Sequence, residues 1–178
     1  MTWITTATGR RVDYALVSPD DIDIKDIATA LSRECRYVGH CKHFYSVAQH
    51  SVLVSRLVPE ELALEGLLHD AAEAYLKDLP SPLKALLPDY REMEARFDMA
   101  IRKRFGLPET PSLEIKQADL VLLATERRDL IPDEIDPWPC ISGIETMPKR
   151  IWPLSPEMAR EQFLDRYKRL TREQREGA

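Results

Sequence analysis

The chain has no apolar run that could cross a bilayer, no CxxC pair and no cationic tail or stripe. Its longest unbroken apolar stretch, "LVLLA" at 120–124, is far short of the roughly 20 residues of a spanning helix. The opening "MTWITTATGRR" lacks the apolar core of a signal peptide. A soluble, cytoplasmic protein with no membrane partner is therefore expected. The three cysteines, Cys35, Cys41 and Cys140, are an odd number, which argues against a closed disulfide framework and fits a reducing compartment. The 25 basic and 30 acidic residues are spread along the chain and give a net charge of -5, so polymeric nucleic acid is not an expected partner. There is neither an internal repeat nor a low-complexity segment, which excludes a solenoid or an array. At 178 residues the chain can bury the core of one domain, residues 1–178, and is too short to split comfortably into two.

What is present reads as a mostly helical protein. "TWITTATGRRVDYALV" alternates β-favouring residues around a Gly-containing turn and predicts a short N-terminal hairpin. After the capping cluster "SPDD", the spacing of Ile24, Ile27, Ala28 and Leu31 predicts a helix through "IDIKDIATALSREC". Further helices are predicted at 44–57, 60–76, 89–105, 112–130 and 156–172. "DLPSPLKALLPD" reads as a Pro-marked loop with at most one helical turn. "IPDEIDPWPCISGIETMPKRIWPLSP" has too many prolines for a helix and is expected to wrap the helical core before the last helix.

Several ionisable residues fall where a helix should be apolar. His50 has Val47, Leu53 and Val54 on its own face and is expected to point inward. In "LALEGLLHDAAEAYL", His69 and Asp70 sit within a Leu/Ala run, where an unpaired carboxylate costs several kcal/mol. Asp119, between Ile115 and Ala118 on one side and Leu122 and Leu123 on the other, is also expected to face the core. One divalent cation shared by two neutral imidazoles and two carboxylates would satisfy all four groups. The alternatives are a hydrogen-bonded core histidine, and an aspartate that caps a helix or pairs with Arg36, Arg127 or Arg128. His43, seven residues before His50 and so nearly on the same face, could replace it or support it.

The stretches "AQHSVLVS", "LLHDAAEAYLKDLPSPLK" and "IKQADLVLLATE" resemble the HD-domain phosphohydrolases, whose metal signature is the spaced pattern His, His-Asp, Asp. HDxxE followed by DLPSP is similar to the branch that holds the YfbR-like 5'-deoxynucleotidases and phage dATP triphosphohydrolases, over about residues 33–130. The resemblance implies an all-α HD-domain bundle and one divalent transition metal ion (Zn, Mn, Co, Fe or Ni). Its ligands would be His50, His69, Asp70 and Asp119, in preference to His43. It also implies Arg36 as a phosphate contact, Glu73 in the catalytic step, Asp78 near the sugar and Tyr37 beside the base. Lys84 of "SPLK" is a further candidate for charge neutralisation. On the helix at 60–76, Glu73 lies four residues beyond His69 and three beyond Asp70, on the face between them, and can reach a metal-bound water. Ala74 after Glu73 disfavours a guanosine-tetraphosphate hydrolase, and the lack of a GYP sequence disfavours a cyclic-di-GMP phosphodiesterase. With no second histidine cluster, a mononuclear centre is expected. The implied function is hydrolysis of a small-molecule nucleotide, first a 5'-(deoxy)nucleoside monophosphate, alternatively a dNTP releasing triphosphate. The non-enzymatic alternative is a metal- or nucleotide-binding HD protein. A homo-oligomer is expected from the resemblance alone.

Overall fold

A computed structural model describes residues 1–132 and 136–176, with side chains through 172. The hairpin is present as β1 (Trp3–Thr5) and β2 (Arg11–Asp13), paired antiparallel with Ile4 opposite Val12, and Gly9 in the turn takes a φ of 82°. It is tied to the helices by polar bonds: the Thr8 backbone N–H and hydroxyl donate to Asp26, each at 2.7 Å, and the Tyr14 hydroxyl donates to the Tyr75 carbonyl at 2.9 Å. Of the described residues, no helix is long and apolar enough to cross a membrane.

The helices are α1 (Ile24–Arg33), α2 (Val47–Leu57), α3 (Ala63–Leu68), α4 (Glu73–Leu76), α5 (Ser81–Lys84), α6 (Pro88–Phe105), α7 (Leu113–Leu130) and α8 (Pro156–Glu176). Two differ from the periodicity reading. The helix expected at 44–57 starts at Val47, because the Ser46 side chain accepts the Gln49 N–H and caps it there. His43 is thereby left in the preceding loop, exposed, and does not share a helical face with His50. The helix expected at 60–76 is broken: the chain tightens to i→i+3 bonds after Leu68, with Ala71 N–H donating to Leu68 and Glu73 N–H to Asp70, each at 3.0 Å, before α4 resumes. The break falls on His69–Ala72. The Pro-marked loop contains the single turn of α5.

Helix α2 lies at the centre, packed against α1, α3, α7 and α8, and Val47, Ala48, Gln49, His50, Ser51, Val52, Val54 and Ser55 on it are all buried. Small residues allow this. A Cβ on Gly66 of α3 would sit 3.2 Å from both the Ser55 Cα and the Val58 side chain, so only glycine lets α3 approach this closely. The Pro-rich segment wraps α7 and α2, apart from residues 133–135, which lie outside the described residues. Gln49 donates to the Trp152 carbonyl and accepts from Leu154 N–H, while Asp129 accepts from Ile151 N–H.

One polar cluster ties α3, α6 and the start of α7 together. Glu65 on α3 accepts from Arg102 of α6 at 3.1 Å and from the Ser112 N–H and hydroxyl, at 3.0 and 2.6 Å, at the start of α7. Burial opposes its ionisation, yet Ser112 and Arg102 hold its carboxyl below the usual 4.5.

Two outcomes are expected. Gly66→Ala overfills the α2/α3 contact and destabilises the fold by about 1–3 kcal/mol, read as a Tm lowered by several degrees. Glu65, with a depressed folded pKa, adds stability above its unfolded value near 4.5 and loses it as the pH falls through the lower folded value. Chemical denaturation of wild type and Glu65→Gln should therefore differ most near pH 7 and converge in acid; a difference independent of pH would contradict this.

Candidate metal centre

Three elements bring the candidate residues together. His50 projects from the first turn of α2 and is 0% exposed. His69 and Asp70 stand in the tight turn after α3, and Asp119 comes from the second turn of α7. The His50 Nε2 atom lies 3.3 Å from His69 Nε2, 3.2 Å from an Asp119 oxygen and 3.5 Å from an Asp70 oxygen, which is itself 3.2 Å from His69 Nε2. Ligand atoms of His50, His69 and Asp119 all fall within 4.8 Å of one another, a group that can hold a metal ion. The Asp119 side chain is 38% exposed, so it faces a cleft and not the core, as its apolar neighbours suggested it would.

The outer nitrogens fix the tautomers. His69 Nδ1 is 2.8 Å from the Gly66 carbonyl, which can only accept, and His50 Nδ1 is 2.6 Å from a Glu126 carboxylate oxygen. Both Nδ1 atoms therefore carry hydrogen when the rings are neutral, and both Nε2 lone pairs face the same small volume. Two lone pairs at 3.3 Å repel unless a positive charge stands between them. The surroundings favour one: burial and the Arg36 charge oppose protonation of His50, yet Glu126 and Asp119 lift it to about 9. Burial likewise opposes charge on Asp70, but His69, His50 and Arg36 hold its carboxyl far below the usual range.

Glu126 was missed by sequence reasoning. It lies two helical turns beyond Asp119, on the same face of α7, within "TERRDL", which looks like a solvated helix end. It is 0% exposed and accepts from His50, from Arg36 Nε at 3.2 Å and from the Tyr37 hydroxyl. Despite burial, Arg36 and His50 lower it to about 2.

The other candidates fall around this centre. Arg36, 11% exposed, spans Glu126 and Asp70, lying 3.5 Å from the latter, so the partner that Asp70 needs is found there. Arg127 and Arg128, the other partners considered, bond instead to the Asp136 carbonyl and to Asp129. The Tyr37 ring packs 6.2 Å from Trp138. Glu73 is buried with one oxygen, Oε2, lacking a hydrogen-bond partner among the described residues; burial, then Asp70 and Asp78, raise its carboxyl well above the usual range. Lys84 bonds to Glu94 at 2.6 Å and lies 3.8 Å from the other Glu73 oxygen. Half-buried Asp78 follows α4 and feels Arg36 and Asp70. His69, Asp70, Glu73, Arg91, Lys116 and Asp119 line a cleft of about 380 Å³ between α6 and α7.

No protein-family model matches the chain. It is 50% identical over 172 residues to the uncharacterized protein YfdR of Escherichia coli K12, spanning 96% of this chain and 97% of that one. An uncharacterized protein of Rhodobacter capsulatus is 39% identical over 126 residues, 65% of this chain and 64% of its own. A protein named 5'-deoxynucleotidase from Vibrio atlanticus is 28% identical over 74 residues, 42% of this chain and 38% of its own. The chain belongs to the family of YfdR.

Because Glu126 orients His50 from behind, Glu126→Gln should weaken Mn²⁺ binding by about 10–100-fold. Competition with a fluorescent chelator measures this, and unchanged affinity in a variant with native circular dichroism would refute the role.

Proposed function

We propose that this chain is a metal-dependent phosphohydrolase of the HD type, acting on nucleotides and first on 5'-(deoxy)nucleoside monophosphates. The observation that carries the reading is the convergence of two imidazole Nε2 atoms and two carboxylates, of which His69, Asp70 and Asp119 line one cleft together with Glu73. The partial likeness to a protein named 5'-deoxynucleotidase supports the substrate class.

The donor set, two nitrogens and two carboxylate oxygens, fits one divalent transition ion, with His50, His69, Asp70 and Asp119 as its ligands. Such an ion supplies polarisation of the phosphorus and a water acidic enough to attack near neutral pH. The remaining steps fall to the chain. Glu73 accepts the proton of the attacking water and returns it to the leaving 5'-oxygen, and its raised proton affinity suits a base that must do both. Arg36 keeps Asp70 and Glu126 ionised, and its fork has donors beyond those it uses, available to the phosphoryl oxygens. Lys84, close to Glu73, adds positive charge on the other side. Asp78 is assigned to the sugar and Tyr37 to the border of the base. Self-association belongs to the same proposal.

The test is product analysis with Mn²⁺, Co²⁺, Zn²⁺ and Mg²⁺ against dNMPs, NMPs and dNTPs. Free phosphate from dNMPs is expected. Intact triphosphate from a dNTP would make the protein a triphosphohydrolase instead. No turnover with any metal would overturn the enzymatic reading in favour of a binding protein. Glu73→Gln should lower kcat by about 10²–10⁴-fold while metal affinity holds.

A further inference from the structure

We propose that Cys35 and Cys41 are a modification site, a dithiol that a peroxide closes into an intramolecular disulfide and thereby disarms the cleft. Their Sγ atoms lie 3.8 Å apart, in van der Waals contact, and both residues are half-buried, within reach of a small oxidant. The five residues between them, 36–40, carry Arg36 and Tyr37 to Glu126. That loop is under strain: Tyr37 and Val38 take left-handed φ values of 58° and 54°. For a β-branched residue this is a rare conformation that persists only when its surroundings enforce it. They do so at both ends, where Arg36 N–H donates to the Tyr45 carbonyl at 2.9 Å and Lys42 N–H to the Leu130 carbonyl at 2.8 Å.

With hydrogen peroxide as oxidant the chemistry balances. The Cys35 sulfur attacks one peroxide oxygen and the O–O bond breaks, giving a sulfenic acid and water. The Cys41 sulfur then attacks the Cys35 sulfur; the S–S bond forms, the S–O bond breaks, and hydroxide leaves as water with the Cys41 proton. Two thiols lose two electrons and two protons, and the peroxide becomes two waters. Burial and the adjacent Cys35 push the Cys41 thiol up to about 11, and the two steps balance equally with the sulfurs exchanged.

A disulfide of about 2.05 Å draws the sulfurs together by nearly 2 Å. This distorts a loop already held in strain at both ends, and Arg36 and Tyr37 move with it. Both bond to Glu126, which orients His50, so the change reaches the candidate metal centre. The bond itself is independent of the enzymatic reading; the loss of hydrolysis rests on it.

The experiment uses the full chain carrying Cys140→Ser, titrated with hydrogen peroxide. Both remaining thiols should vanish and return with dithiothreitol, the linked peptide should lose the mass of two hydrogens, and the chain should stay monomer-sized on a non-reducing gel. Mn²⁺ affinity should fall, and deoxynucleotide hydrolysis should drop by about tenfold or more, since misplacing site groups by 1 Å can lose about 10²-fold. An added Cys41→Ser should abolish both responses to peroxide. Persisting thiols, sulfinic acids in place of the bond, cross-linked dimers, or a disulfide that leaves metal affinity unchanged would each overturn the proposal. If the reduced protein hydrolyses nothing, the enzymatic reading fails, and thiol count with metal affinity still decides this one.

Discussion

The site depends on one buried carboxylate. Glu126 has no contact with solvent, and a charge so placed survives only when donors surround it. Donors on it include His50 Nδ1, Arg36 Nε and the Tyr37 hydroxyl. The same contacts that keep it ionised dictate what each donor can do next. His50 is held with Nδ1 protonated and Nε2 turned toward His69 and the two aspartates. Arg36 is held where its second nitrogen reaches Asp70. A line of alternating charge thus runs from the interior of α7 to the cleft, and its open end favours a cation.

The scaffold exists to keep three short segments in that relation. Helix α2 can be central because serine, alanine and the facing Gly66 let neighbouring backbones come close. Gly66 has a second task, since its carbonyl receives His69 Nδ1, so the residue that permits the packing also orients a ligand candidate. Glu65, its chain neighbour, binds Arg102 and Ser112 and so ties α6 and the start of α7 to the segment bearing His69 and Asp70. Packing and site geometry are therefore not separable around α3.

Much of this was legible in the chain. Apolar spacing located α6, α7 and α8 closely, because each is long. His50, His69, Asp70 and Asp119 stood out as ionisable groups among apolar neighbours, and the structure brings them together. Three features were not legible. The break at His69–Ala72 is hidden because a Leu/Ala pattern is equally compatible with a continuous helix, while the contact that Asp70 makes in the turn, with Arg36, comes from a distant part of the chain. Ser46 ends the reach of α2 and removes His43 from its face, a local cap that periodicity does not weigh. Glu126 sits among arginines at a helix end, where a charge is usually solvated. Its signal was its seven-residue spacing from Asp119, which becomes meaningful only once Asp119 is known to face the site.

The most direct test of the account is metal stoichiometry by inductively coupled plasma mass spectrometry on protein equilibrated with Mn²⁺ and desalted, for wild type, His69→Gln, Asp119→Asn and His43→Gln. The account predicts one ion per chain in wild type and in His43→Gln, and loss of the ion in the other two. Absence of metal from the wild-type chain, or retention in His69→Gln with loss in His43→Gln, would contradict it.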